Sequence, residues 1–254
     1  MSINEHTIIK NISLILPFRE RIILLEEMIR SCLSTAEDIS LVEMLIVIDD
    51  DEPCKREFYK IVSRMNERGL DISTYEVPRS EHFTKDYLNP LARKARGRWI
   101  IPINDDCDFP TQNWDTLIHK AMHDGARVVR DDIILGLTKD QIERRGENVK
   151  YPHFSCFPVV SKQMVDVLGF MWDERCYVWG PDHVIADVFR KLANTRRLVP
   201  LTHVTIGHKS AHTGRRSVHE NYHRFQLIDE KYQVEIGLLD HKETLHKLRE
   251  ACKT

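Results

Sequence analysis

Asn104-Asp105-Asp106-Cys107-Asp108 follows the apolar run Trp99 to Ile103, so a buried strand would deliver several carboxylates at its carboxyl end. Carboxylate oxygens are hard ligands and suit Mg2+ or Mn2+. Such ions typically bind through one or two carboxylates plus substrate phosphates. Asp106 and Asp108 form an Asp-x-Asp pair, and Asp105 adds a further candidate. A second acidic run, Asp49-Asp50-Asp51, ends the apolar stretch Met44 to Ile48. Each cluster has a plainer reading: a solvated turn for the first, a helix cap for the second.

The elements that must position these acids are legible in outline. Ile12 to Leu16 reads as a buried strand stopping at Pro17, with a helix from about Arg21 to Leu33. Met44 to Ile48 is a second strand. Cys54 to Arg68 has helical spacing and stops at Gly69. Ile72 to Val77 is a third strand, 78–86 is a polar loop, and Leu88 to Ala95 is a short helix before the strand at Trp99. Alternation of this kind implies an α/β fold, a mainly parallel Rossmann-like sheet with helices on both faces. Ligands bind such sheets outside the carboxyl ends of the strands, where both acidic clusters fall. Further on, Gln112 to His123 reads as a helix, Val128 to Leu137 and Phe154 to Val160 as strands, Val184 to Leu192 as a helix, and Leu198 to Ile206 as a strand. From Ser217 the apolar spacing suggests one or two tail helices.

The stretch from Asn89 through Gly97 into Trp99-Ile-Ile-Pro-Ile-Asn-Asp-Asp106 resembles a block of the family 2 GT-A glycosyltransferases. There an Asn lies eight residues before a Gly, and an aromatic strand runs into the Asp-x-Asp. Two registers fit: Asn104 with Asp106, or Asp106 with Asp108. Ile12 to Glu20 is similar to the family's first strand and implies that Pro17, Arg19 and Glu20 line a nucleotide pocket. Asp49 and Asp50 match the acids that contact base and ribose, and the resemblance adds Asn89, Asp105 and Asp106 to the nucleotide site. A carboxylate can accept from a uracil N3–H or a ribose hydroxyl. Tyr177 to Asp187 resembles the loop that opens a helix with the general base, which assigns that role to Asp182, with Pro181 where another acid is usual. Asp182 would serve equally well as a helix N-cap. A late histidine completes the metal shell or contacts the diphosphate in many of these enzymes, and His208 is the match, ahead of His203 and His212. Arg215 and Arg216 could meet donor phosphates.

The resemblance covers about residues 10 to 210. It implies a GT-A domain over 1–213; the tail from about 214 has no counterpart in the family, and by its apolar spacing 214–254 reads as a helical extension packing on that domain. It also implies sugar transfer from a nucleotide-sugar donor, UDP by default, to a glycan or other hydroxyl acceptor, with inversion and with Mn2+ or Mg2+ as cofactor. Phe154, Trp172, Tyr177 and Trp179 are candidates for stacking on acceptor sugars, or core.

Composition is ordinary for a globular cytosolic protein. Of 254 residues, 42% are hydrophobic and 30% charged, and the formal net charge is -2, which gives no pull toward nucleic acid. No apolar run is long enough for a transmembrane helix, and the polar start lacks a signal-peptide core. Six cysteines without a C-x-x-C pair read as reduced thiols, so the expected setting is the cytoplasm. Three rivals stand beside the transferase. A nucleotidyltransferase needs a glycine-rich turn after the first strand, and Pro17-Phe-Arg-Glu-Arg-Ile has none. A metal hydrolase would use histidines 203, 208, 212, 219 and 223, some at i, i+4 spacing but without the Glu of H-E-x-x-H. A non-catalytic nucleotide-sugar-binding module would keep the fold and lack turnover.

Overall fold

The structure, a computed structural model, describes residues 10–139, 155–178, 180–192, 195–208 and 241–252. The apolar runs form the expected strands: β1 (Ile12–Phe18), β2 (Val42–Asp49), β3 (Asp71–Val77) and β4 (Trp99–Pro102). Between them lie α1 (Ile22–Thr35), α2 (Lys55–Asn66) and α3 (Asn89–Lys94). After the two-residue strand β5 (Cys107–Asp108) come α4 (Trp114–Val129), β6 (Leu135–Lys139), β7 (Val159–Ser161), α5 (Lys162–Leu168) and α6 (Pro181–Lys191). Strands β8 (Leu198–Thr205) and β9 (Gly207–His208) and helix α7 (Lys242–Ala251) complete the described chain.

Seven strands make one sheet in the order β3-β2-β1-β4-β7-β6-β8, and β5 and β9 form a separate ribbon. Strands β1 to β4 are parallel; β7 is antiparallel to both β4 and β6, while β6 and β8 are parallel. Only β7 therefore runs against the rest of the sheet.

Both faces are covered, so strand residues of either parity are apolar. Leu14, Leu16, Met44, Ile46, Trp99 and Ile101 belong to the core on one side, with Leu25, Phe58 and Trp114 of α1, α2 and α4. Ile15, Leu45, Val47 and Ile100 belong to the other, with Leu91, Met164, Ile185 and Leu248 of α3, α5, α6 and α7.

Three differences from the expectation have local causes. Residues 128 and 129 are helical, because α4 runs on to a left-handed cap at Arg130 (φ 68°), and the strand starts only at Leu135. No glycine marks that stop. The loop expected over 78–86 contains a π-helical segment, Phe83–Leu88, which leads directly into α3. Helix α5 lay inside a stretch given no element; its signals are the Ser161 hydroxyl accepting from Met164 N–H at 3.1 Å and Gly169 at φ 82°. All six cysteines are free thiols. Among the described residues no helix is long and apolar enough to cross a membrane.

The amino end of the sheet is locked by a buried carboxylate. Glu43 on β2, 2% exposed, accepts from Ser13 Oγ at 2.5 Å, Arg96 N–H at 2.6 Å and Arg96 Nε at 2.7 Å. Gly97 N–H donates to Ser13 Oγ at 2.8 Å. A Cβ on Gly97 would lie 2.6 Å from Ser13 N and 2.7 Å from the Ile12 carbonyl carbon. Both are backbone atoms of a central strand and have nowhere to move. Gly97→Ala should therefore destabilise the fold by roughly 1–3 kcal/mol, read as a lower urea midpoint with an unchanged slope.

Candidate functional site

The carboxyl ends of β1 and β2 are tied together by their own side chains. Glu20 takes a left-handed conformation (φ 63°), which turns the chain from β1 into α1 without a glycine. Its N–H donates to both oxygens of Glu52, at 3.1 and 3.2 Å. Arg19 Nη1 donates to Asp49 Oδ2 at 2.8 Å and to Asp51 Oδ1 at 2.7 Å. The bond to Asp51 raises the guanidinium pKa and holds the Asp51 carboxyl below its usual range. The Tyr87 hydroxyl lies 2.5 Å from Asp49 Oδ1 and accepts from Ser80 N–H at 2.6 Å. Burial pushes the pKa of that hydroxyl up, and acceptance by Asp49 adds to the rise. Asp50 has an exposed side chain, while its N–H donates to the Val77 carbonyl at 2.8 Å. The N-cap of α2 is Cys54, with no side-chain cap, so the acidic run does not cap that helix. Tyr87 also walls an open cleft of about 410 Å³ between β3 and α3, with Val47, Tyr75 and Leu91.

The end of β4 carries the second acidic cluster. Asp105 is 1% exposed, and Asp106 is 5% exposed. Arg21, at the N-cap of α1, grips Asp105 with two donors: Nε to Oδ2 at 2.9 Å, and Nη2 to Oδ1. Its Nη1 lies 3.6 Å from Asp106 Oδ2. Burial pushes the Asp105 carboxyl up to about 7; Arg21 pulls against that rise and Asp106 adds to it.

Strands β5 and β9 pair antiparallel, with Cys107 opposite His208 and Asp108 opposite Gly207. The ribbon thus sets His208 beside the acidic turn across about a hundred residues of chain. His208 Nε2 lies 3.1 Å from Asn104 Nδ2, and the ring packs on Phe157 at a centroid distance of 4.6 Å.

Whether a divalent ion fits depends on this donor set. Asp108 Oδ1 is buried and has no hydrogen-bond partner among the described residues. Among those residues no three His, Cys, Asp or Glu side chains form a ready cage. A Mg2+ or Mn2+ site of the substrate-bridging kind needs none, since phosphates and water supply most ligands. An unsatisfied buried carboxylate oxygen, a neighbouring carboxylate and an imidazole on the paired strand fit such an ion.

Asn89 has a different task from the nucleotide contact expected of it. Its side chain is fully buried, its Oδ1 accepts from Met171 N–H (3.0 Å) and Trp172 N–H (2.9 Å), and its Nδ2 donates to the Trp172 carbonyl (2.9 Å). The amide is spent on holding the loop that leads to α6. Thr84 supports the same loop: its N–H donates to the Tyr177 carbonyl at 3.1 Å. The rings of His82 and Tyr177 stack at 4.2 Å. Trp172 is core, at 2% exposure. Helix α6 is capped by Gly180, and Asp182 sits half-buried in its first turn, where a carboxylate complements the helix dipole. His203 is exposed on β8. Phe154, Trp179, His212, Arg215, Arg216, His219 and His223 lie outside the described residues.

Arg21, Tyr87 and Glu52 are the site-lining residues that sequence reasoning missed. Arg21 did leave a signal, because a cation at a helix N-terminus opposes the helix dipole and calls for a compensating acid.

No protein-family model matches the chain, and no curated protein does. Solved structures do. A mannosyltransferase from Pyrobaculum calidifontis, in complex with GDP-Man and Mn2+, aligns over 95% of this chain and 69% of its own, with a TM-score of 0.63 and 13% identity. S. aureus TarS 1-349 with UDP aligns over 93% of this chain and 68% of its own, with a TM-score of 0.56 and 15% identity. GalNAc-T7 with UDP, GalNAc and Mn2+ aligns over 80% of this chain and 44% of its own, with a TM-score of 0.56 and 14% identity. The fold is that of the GT-A-type glycosyltransferases.

Asn89→Ala would strand two buried N–H groups and a carbonyl. It should cost about 2–4 kcal/mol in chemical unfolding. Nucleotide affinity of the remaining folded protein should stay near wild type, as measured by titration.

Proposed function

We propose that this chain is a metal-dependent glycosyltransferase, moving a sugar from a nucleoside-diphosphate sugar to an acceptor hydroxyl. The observation that carries the reading is the β5–β9 ribbon: it pairs the short strand that follows Asp106 and contains Asp108 with the strand that contains His208, just beyond the carboxyl end of β4. The structural neighbours support it, since their complexes hold UDP, or GDP-Man or UDP with Mn2+. UDP is the first nucleotide to test. The catalytic domain in this reading spans 1–213, and 214–254 is a C-terminal extension to it, which ends in α7.

The roles follow from position. The β1 and β2 ends receive the nucleoside, with Pro17, Arg19 and Glu20 lining one wall and Asp49 and Asp50 accepting from base and ribose. Arg19 and Tyr87 fix the Asp49 carboxylate in advance, so little order is lost on binding. Asp106, Asp108 and His208 are the residues that would hold the divalent ion. When bound, that ion would supply Lewis-acid stabilisation of the leaving diphosphate. Asp182 takes the proton of the acceptor hydroxyl as it attacks from the face opposite the leaving group, which inverts the anomeric carbon. Asn89 and Thr84 hold the loop that presents Asp182.

Thermal unfolding with UDP, GDP, dTDP or CMP, each with and without Mn2+, tests the reading. One diphosphate at a hundredfold excess over its Kd should stabilise the protein by about 2.7 kcal/mol, several degrees in Tm, and Mn2+ should enlarge the shift. No shift with any of them would count against a donor site. Asp106→Asn should keep the melting temperature of the free protein near wild type and lose the Mn2+-dependent part of the shift.

Asp182→Asn should lower kcat by roughly 100-fold or more, with donor affinity unchanged in titration. Equal loss of donor affinity would make Asp182 a structural residue of α6.

A further inference from the structure

Arg21 is the cation that reaches the acidic turn after β4, and neither the motifs nor the resemblance gave it a role. Its guanidinium has two working edges. One edge, Nε and Nη2, is fixed to the buried carboxylate of Asp105. The other, Nη1, stands 3.6 Å from Asp106 Oδ2, beyond hydrogen-bond length. That leaves Nη1 with donors to spare beside a carboxylate assigned to the ion. The side chain is 34% exposed, whereas that of Asp105 is 2% exposed. Asp105 is thus the buried, anchored end of the pair, and Arg21 is the end that reaches solvent.

We propose that Arg21 binds the diphosphate of the donor through its Nη1 edge, and that Asp105 is a positioning residue that aims it rather than a ligand of nucleotide or metal. The inference rests on the donor-site reading above and moves Asp105 to a different role within it. Planar guanidinium edges match phosphate oxygens, and an edge already held by a buried carboxylate loses little freedom when it engages one. An ion drawing Asp106 to itself would remove that carboxylate's weak hold on Nη1 and free the edge for phosphate. Arg21 also starts α1, whose first-turn N–H groups and positive dipole end favour the same anion.

The test uses Mn2+ alone, and then pyrophosphate, UDP and GDP each with Mn2+, titrated calorimetrically into the full chain. Arg21→Gln should weaken Mn2+-dependent diphosphate binding by roughly 10- to 100-fold, the span expected for charged hydrogen bonds. Its affinity for Mn2+ alone should stay the same or tighten, because a nearby positive charge has gone. Arg21→Lys keeps the charge without the fork and should fall between Arg21→Gln and wild type. It also carries the test if the Gln variant does not fold. Asp105→Asn should weaken diphosphate binding while keeping affinity for Mn2+ alone. Unchanged diphosphate affinity in Arg21→Gln would overturn the proposal. So would equal losses of Mn2+ and diphosphate, which would make Arg21 a brace for the acidic turn. Wild-type protein that ignores pyrophosphate, UDP and GDP alike would overturn the donor site itself, and this inference with it.

Discussion

Strand β1 is hydrogen-bonded on both sides by parallel neighbours, from Ile12 to Phe18 against Val42 to Ile48 and from Ile12 to Ile15 against Trp99 to Pro102. Every polar group of the proposed donor site inherits its position from this pairing. Because the three strands point the same way, the turns after Phe18, Asp49 and Ile103 open on one edge. A slip of one residue would turn apolar side chains the wrong way in both cores at once. The register is pinned at the opposite end, where Glu43, Ser13 and Gly97 share one buried hydrogen-bond cluster. Lys10 and Arg96 join it through Asp71, at 3.0 and 2.7 Å. A buried carboxylate is tolerable only when satisfied, so this cluster specifies the alignment more sharply than apolar packing alone.

The edge that results is crowded with acids and would repel itself without cations. One turn supplies both. Arg19 reaches toward the β2 end and Arg21 toward the β4 end, from positions two residues apart on either side of the left-handed Glu20. The strained backbone at Glu20 is what splays them, and Glu52 secures it by accepting the Glu20 N–H. The near-neutral total of -2 therefore conceals a local arrangement of opposite charges paired in direct contact.

The first half of the fold was legible because strands buried on both faces are written as unbroken apolar runs, and β1, β2 and β4 are such runs. The helices α1 and α2 announced themselves by spacing and, for α2, by Gly69. What failed was local punctuation. Arg130 ends α4 in a left-handed conformation that an arginine does not advertise, so 128–134 looked like the start of a strand. The π-helical turn at 83–88 has no compositional mark. Candidate site residues on strand ends stood out because acids after an apolar run are conspicuous. Arg21 and Tyr87 were not, because their meaning lies in partners 84 and 38 residues away. Asn89 shows the limit of resemblance: a motif position can be kept for the loop it braces.

The β5–β9 ribbon has a consequence for the order of assembly. Asp106 and Asp108 leave the sheet straight after β4, but the strand that faces them arrives only after β6, β7 and β8 have been laid down. Contacts that span so much sequence form late, since the entropy of closing the intervening chain must be met first. The early βα units carry the carboxylates at the ends of β2 and β4; the His208 imidazole comes only with β9. The ribbon thereby works as a completion check on the proposed metal site: Asp108 meets the strand of His208 only in chains whose second half has docked.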